Sequence, residues 1–212
     1  MPVVFSKNID DQTILSVWKI EETEEQLLSG LQLKQHELDV IASLSNGKRA
    51  LHWLSTRLLL RTMLNTADYI DCQMDDHGKP YLVNSDTHIS LSHSFDYAAV
   101  MISKSRPVGI DIEQIKQKVE RIAPRFLSPA ERATISADNK IEHLYVCWCA
   151  KEAVYKCYGQ KEVSFLDNIA LLPFQFATEG CVDVNLHKGN INQDYKVEYL
   201  QYEDYMLGYV KG

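Results

Sequence analysis

Three carboxylates on two separate segments have the spacing that could hold a divalent cation. In the stretch PVGIDIE, aliphatic residues alternate with Gly109, Asp111 and Glu113. If the stretch is a β-strand, both carboxylates lie on one face, with Cα atoms about 6.6 Å apart. Glu152, in the stretch WCAKEAVYK, offers a third carboxylate. Mg²⁺ prefers such oxygen ligands and keeps several waters, so two or three carboxylates suffice for it.

Each of these residues also has a structural explanation. Asp111 and Glu113 would suit the solvated face of an edge strand. Glu152 and Lys156 would form an ion pair within one helix, which stabilises a helix by a few tenths of a kcal/mol. Gly109 favours the functional interpretation, because a missing side chain lets a ligand approach the backbone.

Basic residues recur at helical spacing in the segment 46–64. Arg49, Trp53, Arg57 and Arg61 follow one another at four-residue steps, opposite an apolar stripe of leucines. A solvated basic face explains this pattern. A phosphate site is the alternative, because the planar guanidinium group matches phosphate oxygens.

Two further candidates lie in predicted turns. Lys79 stands between Gly78 and Pro80, which would fix the backbone and point the cation outwards. His93 lies between two serines in SHSFD, the predicted turn between two strands. Neither feature is specific to one function by itself.

The composition limits the classes of function. The chain has 212 residues and a net charge of −7, so it lacks the broad basic field of a nucleic-acid-binding protein. No apolar run approaches the roughly 18 residues of a membrane span, and the N-terminus lacks the features of a signal peptide. The five cysteines form no CxxC pair, which predicts free thiols in a reducing cytoplasm.

The segments that carry these residues predict an α+β fold. Turn-like residues at KSRP, 104–107, divide the chain near its midpoint, and each half has a helix packed with strands. Gly159 is expected to end the second long helix as a C-terminal cap. The predicted elements are a helix over 46–64, two strands within 88–103, a strand at VGIDIE, a short helix from SPAE, a helix over 140–158, and antiparallel strands in the tail.

In chain order the motifs read Arg57, GKPY, SLSHS, VGIDIE, RFLSPAE and WCAKEAVYK. This order resembles the 4'-phosphopantetheinyl transferase superfamily, in its long type similar to the surfactin-synthetase activator. The resemblance covers about residues 48–159 and implies an enzyme. Such an enzyme transfers the 4'-phosphopantetheine group of coenzyme A to a serine of an apo acyl, peptidyl or aryl carrier protein and releases adenosine 3',5'-bisphosphate.

The same resemblance implies two similar subdomains related by pseudo-twofold symmetry. Residues 1–105 would contact coenzyme A, the co-substrate, and residues 106–212 would carry the metal carboxylates. The metal would be Mg²⁺, with Mn²⁺ as the alternative, held by Asp111, Glu113 and Glu152. The implied contacts to coenzyme A are Lys48, Arg57, Lys79, Ser92, His93 and Lys156. The implied catalytic residues are Glu131, Glu152 and Lys156.

Two assignments stay open between alternatives. Glu131 is a candidate base for the serine hydroxyl, and it is also the third helical residue of a capping box that begins at Ser128. The contact to the 3'-phosphate of coenzyme A falls on Lys34, Lys48 or Arg49.

A second basic cluster, residues 116–125, is the candidate docking surface for the carrier protein, with Phe126 and Leu127 as apolar contacts. Its members are Lys116, Lys118, Arg121 and Arg125. Two other functions use the same residues: a Mg²⁺-dependent phosphodiesterase, or a non-catalytic module that binds coenzyme A or a carrier protein. No nucleic acid or membrane is expected as a partner, and a monomer suffices because both subdomains lie in one chain.

Overall fold

The computed structural model describes residues 3–44 and 47–212. Its first half contains β1 (Val3–Asp10), β2 (Thr13–Lys19), α1 (Glu24–Ser29), α2 (Gln35–Ser43), α3 (Gly47–Leu64), β3 (Cys72–Met74), β4 (Pro80–Leu82), β5 (His88–Ser94) and β6 (Tyr97–Ser103). Its second half contains β7 (Val108–Gln114), α4 (Val119–Ile122), a 3-10 turn (Ala123–Arg125), α5 (Pro129–Ala133), α6 (Lys140–Tyr158), β8 (Ile169–Leu171), β9 (Glu179–Lys188), β10 (Ile191–Tyr202) and β11 (Tyr205–Lys211).

The strands form two main sheets and one small hairpin. The first sheet has the order β1-β2-β6-β5 and the second has the order β7-β11-β10-β9-β8, while β3 pairs with β4. All of these strand pairs are antiparallel. The predicted α+β class is therefore confirmed, and the division into subdomains 1–105 and 106–212 stays a prediction.

Three buried clusters hold these layers together. Helix α3 packs through residues such as Leu54 and Leu59 on one face of the first sheet. Helix α6 packs in the same way on the second sheet. The third cluster joins the two sheets and includes Leu15, Ile110 and Leu207. The aliphatic face of β7 lies in this third cluster, which explains why that face is wholly apolar.

Local sequence signals predicted several boundaries correctly. Helix α6 ends at Gly159, whose φ of 69° is the left-handed conformation that glycine adopts most easily. Helix α5 begins after Ser128 with the predicted capping box. Helix α3 runs to Leu64 as expected, and Asn46, the predicted first residue, lies outside the described residues.

The predicted turn SHSFD is wrong. Strand β5 continues through Ser94, and the turn consists of Phe95 and Asp96, with a φ of 50° at Phe95. Serines at every second residue in this segment have the period of a strand, so these polar residues belong to β5 and not to the turn. His93 therefore lies within a strand.

Helices that could cross a membrane are absent from residues 3–44 and 47–212, since none is both long and apolar enough.

Candidate active site

A cavity of about 490 Å³ lies between α3, the Gly78–Pro80 turn, β5 and α6. Its charged and polar wall includes Arg49, Arg57, Lys79, His93, Glu152 and Lys156, and its apolar wall includes Trp53, Ile89, Leu91 and Tyr155. Six of the candidate residues predicted from the sequence therefore face one space. Asp111, Glu113, Glu131 and Lys48 are not among its lining residues.

Asp111 joins this wall through Lys156. The Lys156 Nζ donates to Asp111 Oδ1 at 2.7 Å, to Ser92 Oγ at 3.0 Å and to the Ile110 carbonyl at 3.0 Å. The expected ion pair between Glu152 and Lys156 is not among the ion pairs of the described ranges. Lys156 instead links the helix α6 to β7, because Asp111 faces that helix.

The three carboxylates influence one another electrostatically. Burial raises the pKa of Glu113, and the negative charge of Asp111 adds to the shift. Burial and the charges of Asp111 and Glu113 raise the pKa of Glu152 to about 7, against the opposing effect of Lys156. Each carboxylate is therefore held near charges of its own sign.

Donor type and charge make these carboxylates suitable for a hard divalent cation. Their ligand atoms are the oxygens that Mg²⁺ prefers, and Asp111 Oδ2 is buried without a hydrogen-bond partner among the described atoms. A cation would also relieve their repulsion. As they stand, no three His, Cys, Asp or Glu side chains in the described part of the chain are gathered closely enough to bind a metal. Lys156 supplies the positive charge at Asp111.

Gly109 serves helix packing and not ligand access. A Cβ built at this residue would overlap the carbonyl oxygen of Ala153 in α6. The backbone of the helix therefore occupies the space that a side chain would need, and the expectation that a ligand approaches Gly109 is wrong. The close approach brings the carboxylates of β7 and α6 onto the same side of the sheet.

Arg57 does not belong to a solvated basic face. It is only 9% exposed, its guanidinium carbon lies 4.6 Å from the centre of the Trp53 ring, and its Nε has no partner among the described atoms. By contrast, the guanidinium of Arg61 donates to the carbonyls of Ala67 and Asp68 at 2.9 Å. Arg57 is thus a buried cation in the wall of the cavity.

Lys79 turns inwards, contrary to the sequence prediction. Its Nζ donates to the carbonyl of Cys157 at 2.8 Å, and its side chain packs over Gly159. This position places a positive charge at the negative end of the α6 dipole. Burial lowers the pKa of Lys79.

His93 stacks on His52, with ring centres 4.2 Å apart. Burial lowers the pKa of His93 to about 4, and the neighbouring His52, Lys156 and Arg57 act in the same direction. The imidazole is consequently neutral near pH 7. An incoming anion would oppose the effect of the neighbouring cations and raise the pKa again.

Ser92 directs its hydroxyl away from the cavity and towards β7. The Ser92 Oγ donates to Asp111 Oδ1 at 2.8 Å and accepts from the Ile112 N–H at 3.2 Å. Together with the Lys156 contact, this uses the one donor and both acceptors of the hydroxyl.

Glu131 has structural partners for both of its oxygens. Oε2 accepts from the Ser128 N–H at 2.7 Å, and Oε1 accepts from the Leu171 N–H at 2.9 Å and from Lys151 Nζ at 2.8 Å. The capping-box alternative is therefore confirmed. The sequence analysis did not single out Lys151, although its place next to Glu152 in WCAKE marked it as a helical residue.

Other candidate cations have aromatic partners. Lys48 Nζ lies 5.4 Å from the centre of the Phe95 ring, Lys116 Nζ lies over the same ring, and Lys34 Nζ lies over Tyr69. Of the three candidates for the 3'-phosphate, only Arg49 lines the cavity in the described structure.

The prediction that Phe126 and Leu127 form the apolar part of the docking surface is wrong. Phe126 and Leu127 are each only 1% exposed, because they pack beneath α6. Lys118, Arg121 and Arg125 are exposed.

Comparison with known proteins finds relatives in one family. A sequence model described as the 4'-phosphopantetheinyl transferase superfamily matches residues 107–210. A 4'-phosphopantetheinyl transferase of Bacillus subtilis is 31% identical over 121 residues, which are 55% of this chain and 52% of that protein. The Sfp enzyme of B. subtilis strain 168 is 31% identical over 52% of this chain and 50% of its own length. The AcpT enzyme of Salmonella typhimurium is 28% identical over 67% and 76%. The chain thus spans about half the length of the first two relatives.

Proposed function

We propose that this chain, whose residues 107–210 match a sequence model of the 4'-phosphopantetheinyl transferase superfamily, is a transferase that modifies carrier proteins. The group transferred is the 4'-phosphopantetheine of coenzyme A, and the acceptor is a serine of an apo acyl, peptidyl or aryl carrier protein. The serine Oγ forms a bond to the phosphorus next to pantetheine, and the bond from that phosphorus to adenosine 3',5'-bisphosphate breaks. The serine hydroxyl proton is released to solvent water, and adenosine 3',5'-bisphosphate leaves with the electron pair of the broken bond.

One observation carries this proposal. Four cationic side chains and a neutral histidine face one cavity: Arg49, Arg57, Lys79, Lys156 and His93. The wall of this cavity also contains Glu152, and Lys156 connects it to Asp111. Positive groups suit the pyrophosphate and 3'-phosphate of coenzyme A, and the apolar wall suits its pantetheine arm. Phosphoryl-type transfer depends mainly on such positioning and on neutralising charge on the phosphate oxygens.

Asp111, Glu113 and Glu152 would hold Mg²⁺, or Mn²⁺ in its place. When bound, the metal supplies positive charge to the phosphate oxygens. Arg57 would bind a phosphate with its planar guanidinium, and Trp53 keeps that guanidinium oriented by stacking. Lys79 and Lys156 would exchange their present partners for phosphate oxygens. The free cysteines, four of them buried, support a reducing cytoplasmic environment.

A single assay tests transfer against its two alternatives. The protein is incubated with an apo carrier protein, coenzyme A and Mg²⁺, and the carrier is then weighed by mass spectrometry. A gain in mass equal to one phosphopantetheinyl group supports transfer. Cleavage of coenzyme A without modification of the carrier would indicate a phosphodiesterase, and binding without either reaction would indicate a non-catalytic module.

A further inference from the structure

The two main sheets meet edge to edge where β5 faces β7. No backbone ladder between these two strands is found in the described structure. Three serine hydroxyls of β5 accept the backbone N–H groups of β7 instead. The bonds are Ile110 N–H to Ser90 at 3.0 Å, Ile112 N–H to Ser92 at 3.2 Å and Gln114 N–H to Ser94 at 3.1 Å. We call Ser90, Ser92 and Ser94 the serine ladder.

The spacing of the serine ladder explains how it works. Residues two apart on a strand point to the same side, and alternate N–H groups of β7 also point to one side. The three serines are 2%, 7% and 8% exposed, so the N–H groups they accept are largely shielded from water. A buried N–H without a partner would be costly, and the hydroxyls remove that cost.

Two of the three hydroxyls also donate a hydrogen bond to a carboxylate. A hydroxyl has one hydrogen to donate in addition to its acceptor lone pairs. Ser92 donates its hydrogen to Asp111 Oδ1 at 2.8 Å, and Ser94 donates its hydrogen to Glu113 Oε2 at 3.1 Å. For Ser90 the described hydrogen bonds include no carboxylate partner. The ladder therefore contains two carboxylate contacts and one matched position without such a contact.

We propose that Ser92 and Ser94 are positioning residues that orient the Asp111 and Glu113 carboxylates for a divalent cation, while Ser90 only joins the sheets. Each hydroxyl oxygen accepts a hydrogen bond from an N–H of β7, and this bond restricts the direction in which the hydroxyl can donate its own hydrogen. The carboxylate oxygen that accepts this hydrogen is fixed in turn. In Asp111 the second oxygen, Oδ2, is then left for the metal, because it is buried and without a partner among the described atoms.

This inference rests on the proposed metal role of the carboxylates, and metal binding tests it without the transfer reaction. Mn²⁺ is titrated into the full-length protein, with and without coenzyme A, and free Mn²⁺ is followed by its electron paramagnetic resonance signal. The variants are Ser94→Ala and Ser92→Ala, with Ser90→Ala as the matched control and Ser94→Thr as the variant that keeps the hydroxyl.

The three serines of the ladder are expected to differ in their effect on Mn²⁺ binding. Loss of a group that orients a metal ligand weakens metal binding by about 10- to 100-fold. Ser94→Ala and Ser92→Ala should therefore raise the Kd for Mn²⁺ about tenfold or more, and Ser90→Ala should change it by less than about twofold. Ser94→Thr should restore most of the affinity. Faster amide hydrogen exchange at Ile110 in Ser90→Ala would show that the control had lost its own ladder bond.

Two outcomes would overturn the proposal in distinguishable ways. If the wild-type protein binds Mn²⁺ and all three alanine variants bind it equally well, the serines only join the sheets, and the proposed function is untouched. If the wild-type protein binds no Mn²⁺, the metal role and the positioning role fail together. Should Ser92→Ala not fold, the comparison of Ser94→Ala with Ser94→Thr still decides the matter.

Discussion

Glu131 and Lys151 form an ion pair of 2.8 Å in which the lysine side chain is fully buried. Lys151 also donates to the carbonyl of Phe165 at 2.8 Å. The pair therefore ties α5, α6 and the segment before β8 together. Burial lowers the pKa of Lys151, and the carboxylate of Glu131 opposes that shift.

Glu131→Gln is expected to reduce stability more than catalysis. The substitution leaves the buried Lys151 without its carboxylate, and breaking such a pair costs about 3 kcal/mol or more. Urea unfolding measures this loss. The double variant Glu131→Gln with Lys151→Met should recover stability, because both charges are then gone. A transfer rate that falls by about a hundredfold in fully folded Glu131→Gln would instead identify Glu131 as the base.

Glu152→Gln and Asp111→Asn should separate the role of a carboxylate in catalysis from its role in stability. Both should reduce transfer by about a hundredfold or more, because each removes a charge from the proposed metal site. Glu152→Gln should keep or raise the melting temperature, since it relieves repulsion from Asp111. Asp111→Asn should lower it, because Lys156 and Ser92 lose a charged partner. Transfer at wild-type rates in either variant would remove that carboxylate from the site.

Arg57→Lys, Lys79→Ala and His93→Ala are each expected to raise the KM for coenzyme A by roughly tenfold and to change the KM for the carrier little. Arg57→Lys keeps the charge but loses the guanidinium plane that stacks on Trp53. Added salt should weaken coenzyme A binding, because the contacts are between charges. Steady-state kinetics with both substrates measures these changes. An unchanged KM for coenzyme A would exclude the residue concerned from the cofactor site.

Reversal of two charges in the second basic cluster tests carrier docking. The chain has a net charge of −7, so long-range attraction to an acidic carrier is poor and docking depends on local contacts. Lys118→Glu with Arg121→Glu should raise the KM for the carrier by roughly fivefold and leave the KM for coenzyme A unchanged. Loss of coenzyme A affinity instead would assign the cluster to the cofactor.

His143 should make stability depend on pH. It is 1% exposed, its Nδ1 accepts from the Ser136 N–H at 3.1 Å, and burial lowers its pKa below the ordinary 6.5. The unfolded chain therefore takes up a proton below about pH 6.5 that the folded chain does not, so stability is lost as the pH falls. The melting temperature of His143→Asn should drop less than that of the wild-type protein between about pH 7.5 and pH 5.

The matched control for the pH experiment is His187→Asn, since His187 is exposed on β9. It should behave like the wild-type protein. An equal drop in melting temperature for His143→Asn and the wild-type protein would show that His143 is not the group responsible.

Sequence patterns predicted the features that depend on neighbours along the chain. The alternation in VGIDIE placed both carboxylates of β7 on one face, and Gly159 and Ser128 marked the ends of helices. Contacts between distant segments were not accessible in this way. The partner of Lys156 is Asp111 and not Glu152, and Gly109 meets Ala153, because α6 packs directly on β7.

Burial explains the remaining differences between the sequence predictions and the structure. Lys79 was expected to point outwards, and Arg57 was left open between a solvated basic face and a phosphate site. Lys79 instead contacts Cys157, which is remote in the sequence, and Arg57 stacks on Trp53, one helical turn away. The serines of the ladder resembled a polar turn, because their partners lie on a strand of the other sheet. The signal in the sequence that could have predicted their position in a strand was the recurrence of the three serines at every second residue.

The shared core between the two sheets limits how far one sheet can move relative to the other. Leu15 on β2, Ile110 on β7 and Leu207 on β11 are all buried in that one core. A hinge motion between the sheets would expose their side chains to water, at roughly 25 cal/mol for each Å² uncovered. That cost opposes a hinge motion between the sheets. Under the proposed function, the groups that must move for coenzyme A to bind are therefore the long side chains of Lys79 and Lys156, which would leave Cys157 and Asp111 for phosphate.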